Sequence, residues 1–433
     1  MFEGSGTGLG ASTAPRPIQT FAFHIQTWKH DIFRRYFPDR DFTFVPMYLD
    51  EAEFRNRWTS VILQAKKPEI FVWSLRAPEG LADFAASHDI PVFFIEDGFI
   101  RSLEASAGRS APLSLTIDSN TAYFDCRTPS GLEQLLSSYA FDDDPELLDR
   151  AAGGIRFLLE TGVSKYNGSP DIGIDAIYGP KLKRRVLVLG QVEDDASIAF
   201  GCDRTVTNND LVRLAASENP DAQIIYKPHP DILNRVRLAQ SDPADVRHLC
   251  QILDKPMSMA TSFKTIDHVY TITSLAGFEA LLRGLKVTVY GCPFYAGWGL
   301  TDDRQPNPRR GRQLSLAAVF AGAYLLYPRY FDPKTGQAAS FEETVQRIRR
   351  HLDSGSAIAD QPVSPPAAPS WRPWGAYGLL GWRHLLTPFV AAIVARIGHP
   401  RDAQVYREDP VRFFREMPNR KFRFIGKLLY PFD

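Results

Sequence analysis

The chain has 433 residues, of which 44% are hydrophobic and 23% are charged, so it can bury large cores and is expected to form about two to three domains. Its formal net charge is zero. The chain therefore has no overall excess of basic residues that would indicate a nucleic-acid partner.

Residues 1–17 are rich in Gly, Ser, Thr and Pro and are predicted to be disordered. They contain no apolar h-region, so no secretory signal is expected. A transmembrane helix is not predicted either, because no run of about eighteen apolar residues occurs. The cysteines lack C-x-x-C spacing, which indicates reduced thiols in a cytosolic protein; they are Cys126, Cys202, Cys250 and Cys292.

Residues 18–165 are predicted to form a first Rossmann-like domain, because strand-like and helical segments alternate there. In chain order the segments are the strand 42–49, the strand 69–74, a helix near 79–88, the strand 91–97 and a helix at 144–161. Asp144, which precedes Pro145, is expected to cap the last helix. The D-D-D run that ends at Asp144 is therefore interpreted as a helix start and not as a metal-binding motif.

Residues 166–184 are predicted to be a linker, and residues 185–353 a second Rossmann-like domain. The second series comprises strands at 186–190, 222–227, 268–273 and 286–291, helices at 208–218 and 275–284, and closing helices at 314–327 and 341–353. Two such halves joined by a linker predict an α/β, GT-B-like fold, with the active site in the cleft between them.

Acidic residues follow buried strands in both halves. The stretch FFIEDGFIRS (93–102) ends a strand in Glu96 and Asp97, which either cap the strand and its turn or take part in catalysis. In the second half, Glu193, Asp194 and Asp195 follow the strand VLVLG in a similar arrangement.

Basic and hydroxyl side chains follow two other strands of the second half. Lys227 and His229 are either a solvated strand end and a loop histidine or a phosphate site. Thr273 and Ser274 lie where a strand turns into a helix, so they are expected to cap that helix. The free N–H groups of the same helix start could also bind a phosphate.

Motifs from both halves resemble those of the capsular polysaccharide β-Kdo transferases of the KpsC type. They are FFIEDGFIRS, SKYN (164–167), GQVEDDAS (190–197), YKPHPD (226–231), TSLAGFEALLRG (273–284) and VYGCPFYAGWGLTDD (289–303). Such enzymes use CMP-Kdo to build a β-Kdo linker on a phosphatidylglycerol lipid. KpsC-type proteins commonly carry two transferase modules, whereas this sequence contains one set of motifs, so a single-module version is expected.

The resemblance implies a role for each candidate donor residue. Lys227 and His229 would hold the CMP phosphate, helped by Thr273 and Ser274, and Gln191 is placed with this group. The donor is a substrate, and neither a cofactor nor a metal ion is expected.

The resemblance also implies a retaining mechanism, because a β-linked donor gives a β-linked product. Retention commonly uses two carboxylates. Alignment on Gln191 favours Asp195 over Asp194 as the nucleophile. Glu96 would be the acid/base residue, with Asp97 orienting it.

Further candidates contact the sugar or the acceptor. Arg101 and Lys165 are expected to meet Kdo carboxylates, since Arg matches carboxylate geometry. The segment 292–303 is either a packed structural loop or a lining of the sugar or acceptor site through Tyr295 and Trp298.

Residues 354–370 are predicted to be a flexible linker, and residues 371–433 form a basic, aromatic tail with 11 Lys and Arg against 5 Asp and Glu. The tail either contacts a membrane surface or packs as a helical lid.

The expected partners are CMP-Kdo, a lipid-linked Kdo or phosphatidylglycerol acceptor, the inner-membrane surface and other capsule biosynthesis or export proteins. The expected location is the cytoplasm, peripheral on the inner face of the cytoplasmic membrane. Two alternatives stay open: a transferase for another CMP-linked acid sugar, such as a sialic acid, and a non-catalytic GT-B module in capsule assembly.

Overall fold

The fold is known from a computed structural model. It describes residues 17–102, 110–165, 167, 174–229, 232, 240–253, 257–354, 387–397, 400–408 and 410–430. The predicted disordered segment 1–17 and the predicted flexible linker 354–370 lie outside the described residues, except for Pro17 and Ser354, and so do residues 166 and 168–173 of the predicted linker 166–184.

The first sheet has seven strands in the order β13-β12-β5-β4-β3-β1-β2. Its strands are β1 (Ile18–Phe23), β2 (Arg40–Phe44), β3 (Glu69–Trp73), β4 (Val92–Asp97), β5 (Ser114–Asp118), β12 (Arg329–Phe331) and β13 (Ala338–Ala339). Strands β1 to β4 are parallel, and β5, β12 and β13 continue the sheet with antiparallel pairs.

The second sheet has six parallel strands in the order β11-β10-β9-β6-β7-β8. Its strands are β6 (Arg185–Leu189), β7 (Gln223–Lys227), β8 (Gln251–Ile252), β9 (His268–Thr271), β10 (Lys286–Val289) and β11 (Asp302–Asp303). All residues of β6 and β9 are buried, as expected for parallel strands covered on both faces.

The helices of the first part of the chain are α1 (His30–Tyr36), α2 (Glu51–Glu53), α3 (Thr59–Gln64), α4 (Leu81–Ser87), α5 (Gly131–Ser138), α6 (Pro145–Thr161) and α7 (Ile174–Tyr178). Those that accompany the second sheet are α8 (Ala196–Ala199), α9 (Asn208–Glu218), α10 (Met259–Ser262) and α11 (Leu275–Leu282), whereas α12 (Leu316–Phe320) and α13 (Phe341–Ser354) pack against α6 of the first half. The C-terminal helices are α14 (Thr387–Ile397), α15 (Pro400–Glu408), α16 (Pro410–Arg415) and α17 (Arg420–Leu429).

The predicted α/β class with two Rossmann-like sheets is confirmed. Asp144 caps α6 as predicted, because its side chain accepts a hydrogen bond from the Leu147 N–H. The order of the strands exposes one error. The second domain was predicted to run to residue 353, yet β12 and β13 pair with β5 and complete the first sheet, so the chain returns to its first half before α13.

The two halves share a continuous core. Phe99, just beyond β4, packs against Phe294 and Tyr324 with ring centroids 4.7 and 5.3 Å apart. Glu133 on α5 is 3% exposed and pairs with Arg310 at 2.8 Å. These contacts fix the end of β4 against the second half.

The C-terminal helices form a small cluster of their own around Ala391, Tyr406, Phe414 and Tyr430. Within the described part of the chain, no helix combines the length and the hydropathy needed to cross a bilayer.

Candidate active site

Glu96 and Asp97 are the last residues of β4 and lie opposite Thr116 and Leu115 of β5. The Asp97 N–H donates to Glu96 Oε1 at 2.9 Å. Asp97 Oδ2 accepts from Arg101 Nε at 2.8 Å. Arg101 is 2% exposed, so its charge lies next to Asp97 and away from solvent.

The two carboxylates have pKa values displaced in opposite directions. Burial, followed by the charge of Asp97, raises the pKa of Glu96. Burial also acts to raise the pKa of Asp97, but the positive charges of Lys29, Arg101 and Lys165 outweigh it and hold that pKa below its usual value. Neighbouring carboxylates with separated pKa values are typical of an acid/base site.

Lys29 belongs to the same cluster, and the sequence analysis missed it. It is 5% exposed, and its ammonium lies 3.0 Å from the ring centroid of Trp73, at the end of β3. Burial lowers its pKa to about 8, although Asp97 and Glu96 act to raise it. Lys29 lies in a short turn after β1 with no motif around it. The neighbouring Trp28 is the signal in the sequence that could indicate a buried position.

The SKYN segment connects this cluster to the second half. The Lys165 carbonyl accepts from the N–H groups of Arg101 and Ser102 at 3.2 and 3.4 Å. Asn167 Nδ2 donates to the Ser102 carbonyl at 2.9 Å, and the Lys165 N–H donates to Glu279 Oε1, on α11, at 3.4 Å. Two of the motifs are thus joined directly, and a third, on α11, is reached through Glu279.

Gln191 links the ends of β6 and β9. Its Oε1 accepts from the Thr273 N–H at 2.7 Å, and its Nε2 donates to Thr273 Oγ1 at 3.0 Å. Its own N–H donates to Asn208 Oδ1 at 2.9 Å. Gln191 therefore fixes the strand-to-helix turn at Thr273, although the sequence offered no position for its side chain.

The three acids after β6 have different surroundings. Glu193 is buried and accepts from the N–H groups of Asn208, Gln240 and Ser241, so it holds loops together. Asp194 is exposed.

Asp195 caps α8, because its Oδ1 accepts from the Ser197 N–H at 2.9 Å. The Ser197 hydroxyl in turn accepts from Thr273 Oγ1 at 3.5 Å. Asp195 is therefore the acid of this stretch that is both partly exposed and close to the turn at Thr273.

Lys227 ends β7 beside the end of β6, where the Gly190 N–H donates to its carbonyl at 2.8 Å. Its side chain is 5% exposed, and Nζ donates to the Met257 carbonyl at 3.4 Å. Burial lowers the pKa of this ammonium to about 8. His229 follows two residues later and is partly buried. The parallel strands therefore bring Gln191, Lys227 and Thr273 to one edge of the second sheet.

Ser274 caps α11, accepting from the Ala276 N–H at 3.2 Å, as predicted. Tyr295 and Trp298 are both fully buried. Their burial does not support the interpretation that they line the sugar or acceptor site. Tyr295 donates to the Ser274 carbonyl, and Trp298 Nε1 donates to the Phe294 carbonyl at 2.8 Å. The alternative of a packed structural loop is the one the structure supports.

The chain matches the family model described as capsule polysaccharide biosynthesis protein over residues 69–156 and 159–330. It belongs to the capsule polysaccharide biosynthesis protein family. The match covers the second sheet, strands β3 to β5 of the first sheet and every motif of the site described above, whereas β1, β2 and Lys29 precede it.

Two curated relatives have comparable similarity to this chain but differ in length. The chain is 42% identical to the lipopolysaccharide-processing protein LpsZ of Rhizobium meliloti over 346 residues, which are 79% of this chain and 77% of LpsZ. It is also 42% identical to the capsule polysaccharide modification protein LipA of Neisseria meningitidis over 282 residues. That match covers 65% of this chain and 39% of LipA, so the chain spans well under half the length of LipA.

Solved structures of Thermosulfurimonas dismutans KpsC share the fold. Its β-Kdo 2,7 transferase has a TM-score of 0.59 and 32% identity, covering 77% of this chain and 99% of that one. Its β-Kdo 2,4 transferase has a TM-score of 0.63 and 27% identity, covering 77% and 98%. The predicted resemblance to KpsC-type transferases and the GT-B-like fold are thereby confirmed.

Proposed function

We propose that this protein is a retaining β-Kdo glycosyltransferase that uses CMP-Kdo as its donor. The observation that carries the proposal is the edge of the second sheet, where Gln191 fixes the turn at Thr273 and Asp195 lies beside it. Similarity to the KpsC β-Kdo transferases supports the same chemistry.

The donor phosphate binds at this edge. Lys227 contributes a buried ammonium, and the loop carries His229 two residues further on. Thr273 and Ser274 contribute hydroxyl groups at the start of α11, whose N–H groups and dipole favour an anion. These donors stabilise the charge that develops on CMP as it departs.

Transfer proceeds in two steps. In the first, a carboxylate oxygen of Asp195 bonds to the anomeric carbon of Kdo, and the bond from that carbon to the CMP phosphate breaks with its electron pair leaving on CMP. In the second, the oxygen of the acceptor hydroxyl attacks the same carbon while Glu96 takes the proton of that hydroxyl. The bond between the anomeric carbon and the Asp195 oxygen breaks, and Asp195 leaves as a carboxylate.

Glu96 suits the second step because burial and Asp97 raise its pKa, which makes its carboxylate a stronger base. Asp97 stays ionised beside Arg101 and orients the pair. Arg101 lies inside the protein and acts through Asp97. Of the two residues expected to meet the Kdo carboxylate, Lys165 alone keeps that role in this proposal.

The acceptor is a lipid-linked Kdo or phosphatidylglycerol at the inner face of the cytoplasmic membrane, where other capsule biosynthesis or export proteins would use the product. The reaction as proposed needs no cofactor or metal ion.

Donor turnover tests the proposal. Purified protein is incubated with CMP-Kdo generated in situ or with CMP-sialic acid, together with a lipid-linked Kdo acceptor, and CMP release is measured. Acceptor-dependent release from CMP-Kdo is expected. Preference for CMP-sialic acid would contradict the donor assignment, and release from neither would favour the non-catalytic alternative.

A further inference from the structure

The last helix of the described chain, α17, presents an apolar face to solvent. Phe424, Ile425 and Leu428 lie on adjoining positions of this face and are 62%, 42% and 62% exposed. Phe422 extends the face and is 44% exposed. Large apolar side chains grouped in this way on a soluble protein mark a contact surface.

Basic residues lie beside and between the apolar side chains of this face. Arg420, Lys421 and Lys427 are exposed, and the ten residues of α17 include no acid. An amphipathic helix with aromatic and aliphatic residues on one side and Lys or Arg around them suits the boundary of an anionic bilayer.

The opposite face of α17 is fixed to the protein. At Gly426 an added Cβ would lie 2.1 Å from Phe414 Cβ, so the helix lies directly against α16. Tyr430, just beyond the helix, is 3% exposed. The apolar face is therefore held outward and is not the side that packs.

The same unit is attached beside the acid cluster. Glu416 accepts from the Thr27 N–H at 2.8 Å, two residues before Lys29, and the Arg423 guanidinium lies 4.2 Å from the ring centroid of Tyr48. Both contacts are with loops that follow the carboxyl ends of β1 and β2. The C-terminal helices are thus attached, on the side of β1 and β2, to the same edge of the first sheet at which Glu96 and Asp97 lie.

We propose that α17 is a membrane-contact helix that lies in the headgroup region of an anionic phospholipid surface and sets the acid edge of the first sheet towards that surface. The occupant is a bilayer because the face combines exposed aromatic and aliphatic side chains with cations alone. The proposal deepens the proposed function, on which it rests for the lipid nature of the acceptor, by naming the surface from which that acceptor arrives.

Vesicle flotation of the full chain tests the proposal without any sugar donor. The wild type is expected to float with vesicles of phosphatidylcholine and phosphatidylglycerol, to float less with phosphatidylcholine alone, and to be released as NaCl is raised from about 0.1 to about 0.5 M. The double variant Phe424→Glu/Leu428→Glu is expected to bind about tenfold more weakly or worse, because both apolar contacts are lost. Lys421→Glu/Lys427→Glu is expected to lose the preference for phosphatidylglycerol.

Leu63→Glu is the matched control, because Leu63 is an apolar helical residue that is 50% exposed but lies on α3. It is expected to float like the wild type, with circular dichroism and thermal unfolding confirming that all variants fold. If the wild type does not float, as expected for a helix that binds another protein, the proposal is overturned. An equal loss of vesicle binding in Leu63→Glu would overturn it as well. A chain that floats but turns over no CMP-Kdo would contradict only the proposed function.

Discussion

The two sheets present different chemistry at their carboxyl edges. The first sheet carries charges packed against one another, with Lys29 and Arg101 almost fully buried beside Glu96 and Asp97. The second sheet carries mainly neutral groups, in which Gln191 and the hydroxyls of Thr273 and Ser197 are linked by hydrogen bonds. Asp195 and Lys227 are the charges added to that framework.

This difference separates two tasks. Buried charges of opposite sign set pKa values apart, which suits proton transfer at the first sheet. A fixed framework of N–H and hydroxyl groups holds an anion without having to reorganise, which suits phosphate departure at the second. Substitutions at the first edge should therefore move the acidic limb of the pH–rate profile, whereas those at the second should mainly lower donor turnover.

Glu96→Gln should have the largest effect at the first edge. Transfer to the acceptor is expected to slow by a factor on the order of 10²–10⁴, because the group that accepts the hydroxyl proton is lost. Wild-type activity should fall as the pH is lowered through the raised pKa of Glu96, since protonation removes the base. Steady-state rates against pH check both, with Glu79→Gln, an exposed glutamate, as the control; a wild-type rate in Glu96→Gln would contradict the assignment.

Lys227→Ala and His229→Ala should each lower donor turnover by a factor on the order of 10²–10³, because a group that stabilises the departing phosphate is removed. For Lys227→Ala the loss should be largest below about pH 8 and should shrink above it, where the wild-type ammonium loses its proton. CMP release is the measurement, and Lys183→Ala, on an exposed lysine, serves as the control. If both variants turn over CMP-Kdo like the wild type, the donor site lies elsewhere.

Lys29→Met should have a smaller effect of a different kind. Loss of the ammonium removes a charge that favours both carboxylates, so the pKa of Glu96 should rise further and the acidic limb of the pH–rate profile should move to higher pH. A shift of about one pH unit would make the rate on that limb about tenfold lower. An unchanged profile in a folded variant would show that Lys29 acts only in packing on Trp73.

Trp298→Ala should change catalysis least, since the Trp298 side chain is fully buried. The free energy of unfolding of the Trp298→Ala variant is expected to be about 3–5 kcal/mol lower than that of the wild type, because a large core side chain is removed. Denaturant unfolding measures this fall, and the KM values for donor and acceptor should stay near those of the wild type. A selective rise in the acceptor KM would restore the sugar-site interpretation.

Much of the fold could be predicted because strand-like runs alternate with helical patterns and carry their own boundary signals. Asp144 before Pro145 and Ser274 before an apolar helix are examples, since capping is decided by neighbouring residues. The return of the chain to the first sheet at β12 could not be predicted, because a strand of three residues has no local signature.

The candidate site shows the same division. Strand-end positions of Glu96, Asp195 and Lys227 follow from local sequence, and parallel pairing brings the ends of neighbouring strands to one edge. Lys29 was missed because its role depends on burial against Trp73, which is distant in sequence. Tyr295 and Trp298 were open to two interpretations, since their aromatic, glycine-rich loop does not reveal that both rings are buried.

Trapping the sugar on the protein tests the central claim most directly. The enzyme is incubated with CMP-Kdo and no acceptor, and the mass of the intact protein is measured by mass spectrometry. The protein is then digested to locate the modified peptide. The account predicts a mass increase of one Kdo residue in the peptide 186–198, absent from Asp195→Ala, and a β-linked product once acceptor is added. An α-linked product, or full transfer activity in Asp195→Ala, would contradict it.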